Sequence, residues 1–397
     1  MSDLAANHRP RILFLFSDTG GGHRSAAEAI IEAIHLEFGE LVQPEMVDFF
    51  KEYAPLPFNQ MPKWYPYMVK VPKVWEFGFH LSDSPQRVSI INNTAWPYVR
   101  SAAKNFAKRV SHDLIVSVHP VVNTPILRAM GRSNTRPYIT VVTDLVSTHA
   151  MWYNRRVDLC IVPTQAAFQR AIGYGMPPER LQVVGLPVAQ RFCQPPGDQQ
   201  LLRERLKWPQ DCTVILLVGG GEGMGPIEQN ALTLASGLAE SGLSAALVVI
   251  TGRNLTLKER LEARVWPIPT FIYGFVREMP EFMRAADILV TKAGPGTMSE
   301  AFNAGLPIIL DSRLPGQEDG NVIYAISEGA GVWAPSADLV LAVARNWVMY
   351  PEHRLMAATA SRRLARPEAA RQIARIIAAQ VGVYVEGKAP VESPLPG

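Results

Sequence analysis

The sequence predicts an α/β protein built as two doubly wound domains, each a mostly parallel sheet covered by helices. Three observations carry that expectation. A chain of 397 residues is too long for one small module. Short apolar strand patterns alternate with amphipathic helical ones. A stretch near residue 190, LPVAQRFCQPPGDQQ, interrupts the rhythm with adjacent prolines, a glycine and polar residues, after which the rhythm resumes. Composition agrees: 48% hydrophobic and 19% charged residues are ordinary globular material and exclude a disordered chain. The 39 Lys and Arg exceed the 36 Asp and Glu by three, too mild an excess for a nucleic-acid binder acting through bulk charge. Cys160, Cys193 and Cys212 are odd in number and widely spaced, leaving neither a disulfide framework nor a CxxC metal site. A reducing cytoplasm suits them.

In the first half the expected strands are 11–16, 114–118, 138–143, 159–162 and 183–186, and the helices 25–38, 124–130 and 165–172. In the second half the strands are 213–218, 245–251, 270–273, 288–291 and 307–311, with helices 226–236, 257–265, 278–285 and 297–304. A basic, alanine-rich amphipathic helix over 362–380 follows, then a tail expected to be disordered. Apolar runs such as 214–218, 245–250 and 306–310 fall well short of the roughly 20 residues a spanning helix needs. The opening MSDLAANHRPR carries no signal-peptide core, so the expectation is a protein kept inside and spanning nothing. Doubly wound sheets bind ligands beyond the carboxyl ends of their strands, so two of them predict a cleft lined by strand-to-helix loops.

Four such loops stand out. Ser17 to Arg24 (SDTGGGHR) follows the first strand, but its spacing departs from GxGxxG, and it ends in His23, a neutral imidazole suited to deprotonating a hydroxyl. A structural loop histidine is the alternative. Gly219 to Pro226 (GGGEGMGP) offers backbone N–H groups and a helix N-terminus for a pyrophosphate. It lacks the Lys-Ser/Thr of a P-loop, and a glycine-rich turn without a ligand would look the same. Thr291 to Ala301 (TKAGPGTMSEA) puts Glu300 one turn into a helix, where a carboxylate can grip vicinal ribose hydroxyls; a capping box of Thr297 and Glu300 explains the same pair without any ligand. Pro315 to Asn321 (PGQEDGN) is a polar turn that, after the other three, becomes a candidate reader of sugar hydroxyls.

Taken together, GGGHRSAAEAI, VHP, TVVTDL, GGGEGMGPIE, TGRN, YGFVREM, TKAGPGTMSEA, GLPIIL and GQEDGN, spread over residues 11–331, resemble the lipid-directed nucleotide-sugar transferases of glycosyltransferase family 28, most closely the monogalactosyldiacylglycerol synthases. The resemblance implies a GT-B fold: an acceptor- and membrane-associating domain over 1–190, a linker over 191–200, and a nucleotide-sugar-binding domain over 201–361. A terminal helix over 362–382 would cross back to the first domain, and 383–397 would form the tail. It implies His23 as general base. Asp144 is placed with His23 in the catalytic set and His149 on the acceptor side, two polar positions where a structural role is equally open. Donor-binding positions would be Gly220, Gly221, Glu222, Gly223, Arg253, Phe275, Val276, Gly294, Pro295, Gly296, Thr297, Glu300, Gln317, Glu318 and Asn321. Among them, Glu300 would take the ribose, the backbone at Phe275 and Val276 the uracil, the two glycine loops the pyrophosphate, and Gln317, Glu318 and Asn321 the hexose.

The implied reaction passes a hexose, with galactose favoured, from a UDP-hexose to the hydroxyl of 1,2-diacylglycerol, inverting the anomeric carbon. No DxD pair stands in the strand-end loops, so neither a metal nor another cofactor is expected. Residues 51–109 hold nine basic and three acidic side chains, a local +6, interleaved with aromatics. This suits peripheral contact with an anionic membrane on its cytoplasmic face through Lys63, Trp64, Tyr65, Lys70, Lys73 and Trp75, with Gly21 and Gly22 on the acceptor side. A proline-rich insertion whose aromatics pack on the domain is the bland alternative. Competing functions are a glucosyl-lipid synthase, a peptidoglycan-precursor N-acetylglucosaminyltransferase, a catalytically silent nucleotide-sugar or lipid-binding regulator and, most distantly, an NAD-dependent oxidoreductase. The oligomeric state is not legible.

Overall fold

The computed structural model describes residues 9–18, 21–61, 63–64, 71–195, 197–223 and 225–384. Its contacts divide the described chain into two units. One takes residues within Met1–Gln190, Pro315–Gln317 and Glu368–Gly397; the other takes Arg191–Leu314 and Glu318–Pro367.

The first unit is a six-stranded parallel sheet of β1 (Arg11–Phe16), β2 (Gln43–Asp48), β3 (Leu114–Ser117), β4 (Tyr138–Val141), β5 (Leu159–Val162) and β6 (Leu181–Val183), in the order β2-β1-β3-β4-β5-β6. A strand covered on both faces has no polar side, which is why β1 is a continuous apolar run. Ile12, Phe14 and Phe16 join one core with Ile30, Ile34, Ile373 and Ile377, while Leu13 and Leu15 join the other with Phe49, Phe106 and Ile126. The chain changes direction across the sheet between β1 and β3, so the loops after those two strands flank the switch point.

Two helices in this unit lie where the sequence suggested only an insertion. Pro72–Ser82 and Pro85–Arg109 each begin with proline at the first helical position, which tolerates it because that N–H has no intrahelical acceptor. Ser84 caps the second by accepting from the Arg87 N–H, and Pro97 lies inside it.

The expected single helix over 362–380 is in fact two, Pro351–Leu364 and Ala369–Ala379. Pro367 falls between them; it has no N–H to donate and its ring would clash with the preceding turn. The later helix buries Ile373, Ala374, Ile377 and Ala378 in the first unit's core, against the side of helix Gly22–Phe38. Arg375 sits 2.8 Å and Arg371 3.6 Å from the Glu37 carboxylate, whose side chain is only 4% exposed. Residues 385–397, most of the tail expected to be disordered, lie outside the described residues.

The second unit is also a six-stranded parallel sheet: β7 (Thr213–Val218), β8 (Ala245–Ile250), β9 (Thr270–Tyr273), β10 (Ile288–Lys292), β11 (Ile308–Ser312) and β12 (Gly331–Trp333), ordered β12-β11-β10-β7-β8-β9. Its switch point falls between β7 and β10, and the loops after both are the glycine-rich ones. Residues 191–200 carry a 3-10 turn at Gln190–Phe192 and the start of helix Gln199–Leu206, capped by Asp198, and they group with this unit. Among the described residues no helix is long and apolar enough to cross a membrane.

Candidate active site

In the first unit the switch-point loops bring His23 and His119 together, with ring centroids 4.6 Å apart in an edge-on contact. His23 stands at the start of helix Gly22–Phe38, behind Gly21, whose φ of 79° favours glycine. Gly21 and Gly22 are exposed, and a Cβ at either would meet nothing within 4 Å. His23 Nδ1 and Thr143 Oγ1 form a 2.8 Å hydrogen bond, and the Trp152 ring lies 5.9 Å away. Burial pulls the His23 pKa down to about 4, with a backbone hydrogen bond at Val118 working the other way, so the imidazole is neutral at pH 7. His119 is driven down by burial and then by the neighbouring His23.

Asp144 does not orient His23. Its Oδ2 accepts from Trp152 Nε1 at 2.6 Å and its Oδ1 from Gln317 Nε2 at 3.0 Å, while Thr143 holds the histidine. His149 is buried, with Nε2 bonded to Ser82 Oγ at 3.0 Å and Nδ1 accepting from the Met151 N–H. Burial lowers its pKa. With Asp83, which accepts from the Ala150 N–H and pairs with Arg170, it pins the turn between the two long helices to the loop that carries Asp144 and Trp152. His149 thus holds the loop together.

In the second unit the glycines that follow β7 and β10 divide by what surrounds them. A Cβ at Gly223 would fall 2.1 Å from the Thr251 carbonyl oxygen, so that glycine is demanded by the neighbouring backbone and by its φ of 62°. Gly296, by contrast, has nothing within 4 Å of its Cβ direction. Arg253 pairs with Glu222 at 2.6 Å and lies 4.7 Å over the exposed Phe275 ring, with Val276 half-buried beside it.

The capping-box alternative for Thr297 and Glu300 does not hold. The helix starts two residues earlier, at Pro295, with Gly294 as its N-cap and no side chain capping it. Burial instead pushes the Glu300 carboxyl up to about 7, with Arg191 drawing it back, and among the described residues no hydrogen bond engages the carboxylate. Glu300 is half-buried, and a desolvated carboxyl without a hydrogen bond costs stability; such groups concentrate at functional sites.

The PGQEDGN turn is less free than its sequence suggests. Glu318 is buried with both oxygens engaged, Oε1 by Lys292 Nζ at 2.5 Å and Oε2 by the Leu314 N–H at 2.7 Å. Asn321 Nδ2 donates to the Ala293 carbonyl. Asn321 Oδ1 and Gln317 Oε1, however, are buried acceptors with no hydrogen-bond partner among the described residues. Thr143, His119 and Lys292 had no role assigned from sequence; VHP directly follows β3 and TK closes β10, and that placement was the available signal.

In the membrane-contact set, Lys63, Trp64 and Lys73 are exposed and Trp75 is half-buried; Tyr65 and Lys70 lie outside the described residues. Helix Pro72–Ser82 exposes Val74, Phe77 and Leu81 together on one side, with Phe77 68% exposed, and the following helix exposes Ile90 and Tyr98.

Residues 23–188 match the family profile described as Monogalactosyldiacylglycerol (MGDG) synthase, and residues 214–327 match the Glycosyltransferase family 28 C-terminal domain. Among solved structures, the fold matches Acinetobacter baumannii MurG (TM-score 0.60, 15% identity, 93% of this chain and 99% of that one) and the S. aureus MnaA-UDP co-structure (TM-score 0.63, 13% identity, 96% and 99%). Fold and profiles together define a glycosyltransferase of the GT-B class. Monogalactosyldiacylglycerol synthase 1, chloroplastic, of Arabidopsis thaliana is 37% identical over 93% of this chain and 70% of its own length. The spinach (Spinacia oleracea) monogalactosyldiacylglycerol synthase is 39% identical over 85% and 66%. The chain belongs to the monogalactosyldiacylglycerol synthase family.

Proposed function

We propose that this enzyme transfers galactose from UDP-galactose to the free hydroxyl of 1,2-diacylglycerol, giving the β-glycoside. The observation that carries the reading is the division of chemistry between the units. One holds a neutral imidazole at its switch point, and the other a glycine-lined pair of loops beside a half-buried carboxyl that no hydrogen bond engages among the described residues. His23, with Nδ1 engaged by Thr143, takes the acceptor's proton at Nε2. The acceptor oxygen bonds to the anomeric carbon as the bond from that carbon to the diphosphate breaks, and the electron pair leaves on the phosphate oxygen. Attack opposite the leaving group turns the α-linked donor into a β-product. Backbone N–H groups and helix N-termini around Gly220 to Gly223 and Gly294 to Thr297 meet the departing charge, an assignment that needs no metal. Glu300 grips the ribose, Phe275 and Val276 flank the uracil, and the unspent acceptor on Asn321 serves a sugar hydroxyl.

Incubating the purified chain with dispersed diacylglycerol and each labelled UDP-sugar in turn tests this reading. The expected product is a monogalactosyl lipid whose anomeric proton shows the large coupling of a β-linkage. An α-product, or transfer of glucose in preference to galactose, contradicts it.

The same reading puts the enzyme peripherally on an anionic leaflet, met by the exposed apolar side of helix Pro72–Ser82 and the +6 segment around it. Three free cysteines accord with the reducing, cytoplasmic side. Changing Lys63, Lys70 and Lys73 together to Glu should abolish sedimentation with anionic vesicles, since each basic contact is worth about 1 kcal/mol and the attraction becomes repulsion. Turnover of a short, detergent-dispersed diacylglycerol should persist. Unchanged sedimentation would place the lipid contact elsewhere.

A further inference from the structure

We propose that Lys292 is the side chain that meets the donor's diphosphate and that Glu318 serves to hold it there, an inference that rests on the nucleotide-sugar reading above. Lys292 ends β10 at the second unit's switch point, where Thr291 lies in register with Val218 of β7. Its side chain therefore comes between the two glycine loops. A Cβ at Gly220 would stand 3.9 Å from Lys292 Cε, and one at Gly294 would stand 3.1 Å from Nζ and 3.7 Å from Glu318 Oε1.

Charge explains why this placement calls for an anion. The ammonium sits beside Gly294, the N-cap of helix Pro295–Ala304, whose positive end repels a cation. Of the two carboxyls near the ammonium, Glu318 pairs with it directly. Asp311 is bonded to Asn230 and Ser312 and burial raises its pKa, which weakens its share of the negative charge set against the ammonium and the helix end. Glu318 is 5% exposed and also accepts from the Leu314 N–H, so it is fixed in place rather than reaching outward. One of the three ammonium donors goes to Glu318, and the lysine side chain remains 24% exposed, open to phosphate oxygens through the others. When the glycosidic bond to the diphosphate breaks, the electron pair settles on a phosphate oxygen, where a preoriented cation lowers its energy. Glu318 is thereby reassigned from reading the hexose to positioning Lys292.

Calorimetric titration of the full chain with UDP and, separately, with uridine tests the proposal. Lys292→Met should weaken UDP binding by about 10- to 150-fold, the worth of a hydrogen bond to a charged group, and leave uridine binding within about twofold. Lys292→Arg, which keeps the charge, should recover most of the loss. A Lys292→Met variant that is folded by its melting curve and binds UDP as the wild type does would overturn the proposal. Wild type that binds no UDP would instead overturn the nucleotide-sugar reading, and this one with it. Independently of any variant, UDP but not uridine should slow acylation of Lys292 in the wild-type protein, followed by mass spectrometry. Equal labelling with and without UDP counts against it.

Discussion

Replacing His23 by alanine should lower kcat by about 10²- to 10⁴-fold, the usual worth of a positioned general base, with UDP affinity nearly unchanged. The two effects separate because His23 belongs to one unit and the proposed donor residues Gly220 to Gly223, Gly294 to Thr297 and Glu300 to the other. Steady-state kinetics beside UDP titration decides it, and either retained turnover or lost UDP binding would remove the assignment. The pH profile carries a second signature. A histidine held near 4 by burial stays neutral well below the ordinary imidazole range, so the acid limb of kcat/KM should begin nearer pH 5 than pH 7. Thr143→Val, which takes away the partner of Nδ1, should lower kcat less than the alanine variant does and move that limb. The same depressed pKa has a stability consequence. Below 6.5 the unfolded chain takes up a proton that the folded one refuses until about pH 4, so wild type loses stability across that window and His23→Ala should lose less.

Glu300→Gln should weaken UDP binding by about 10- to 150-fold, because ribose hydroxyls lose a charged acceptor worth about 1.5 to 3 kcal/mol. It should also raise the melting temperature above pH 7. The sign follows from the direction of the shift. With the folded carboxyl raised to about 7 by burial, the folded state holds a proton that the unfolded state, near 4.5, has already released. Wild-type stability therefore falls as pH rises from about 4.5 to 7, and the neutral amide escapes that loss. At pH 5 the two proteins should melt close together. Donor affinity of the wild type should rise through pH 7 as the carboxylate ionises. A Gln variant that melts lower at every pH and binds UDP normally would make Glu300 a structural residue.

Much of this fold was legible because buried parallel strands have no polar face. Runs such as ILFLF and TVILLV could only be covered on both sides, and the glycine loops that follow them lie at the carboxyl ends of central strands, beside each sheet's switch point. Two of the edge strands, β2 and β12, were not legible. β2 begins QPE, with partly exposed positions and a proline that only an edge tolerates, and β12 has three residues. The two long helices at Pro72 and Pro85 were hidden for a related reason. Proline ends a helix or begins one, and only the local backbone says which.

By itself the sequence determined the α/β class and the family, and it placed the candidate residues: His23, the glycine runs and Glu300 all follow strands. Those are consequences of residue type and order along the chain. Which partner each side chain takes was decided by tertiary structure, because it depends on residues far apart in sequence. Thr143, 120 positions away, is the group that engages His23; Asp144, its neighbour in the chain, turns to Trp152. Glu318 is bound to Lys292 across 26 positions, a partner that the PGQEDGN turn by itself does not announce. Burial, too, is a property of the assembled fold. Desolvation holds the His23 imidazole neutral and the Glu300 carboxyl near neutrality, and no local stretch of sequence encodes how much water a side chain will lose.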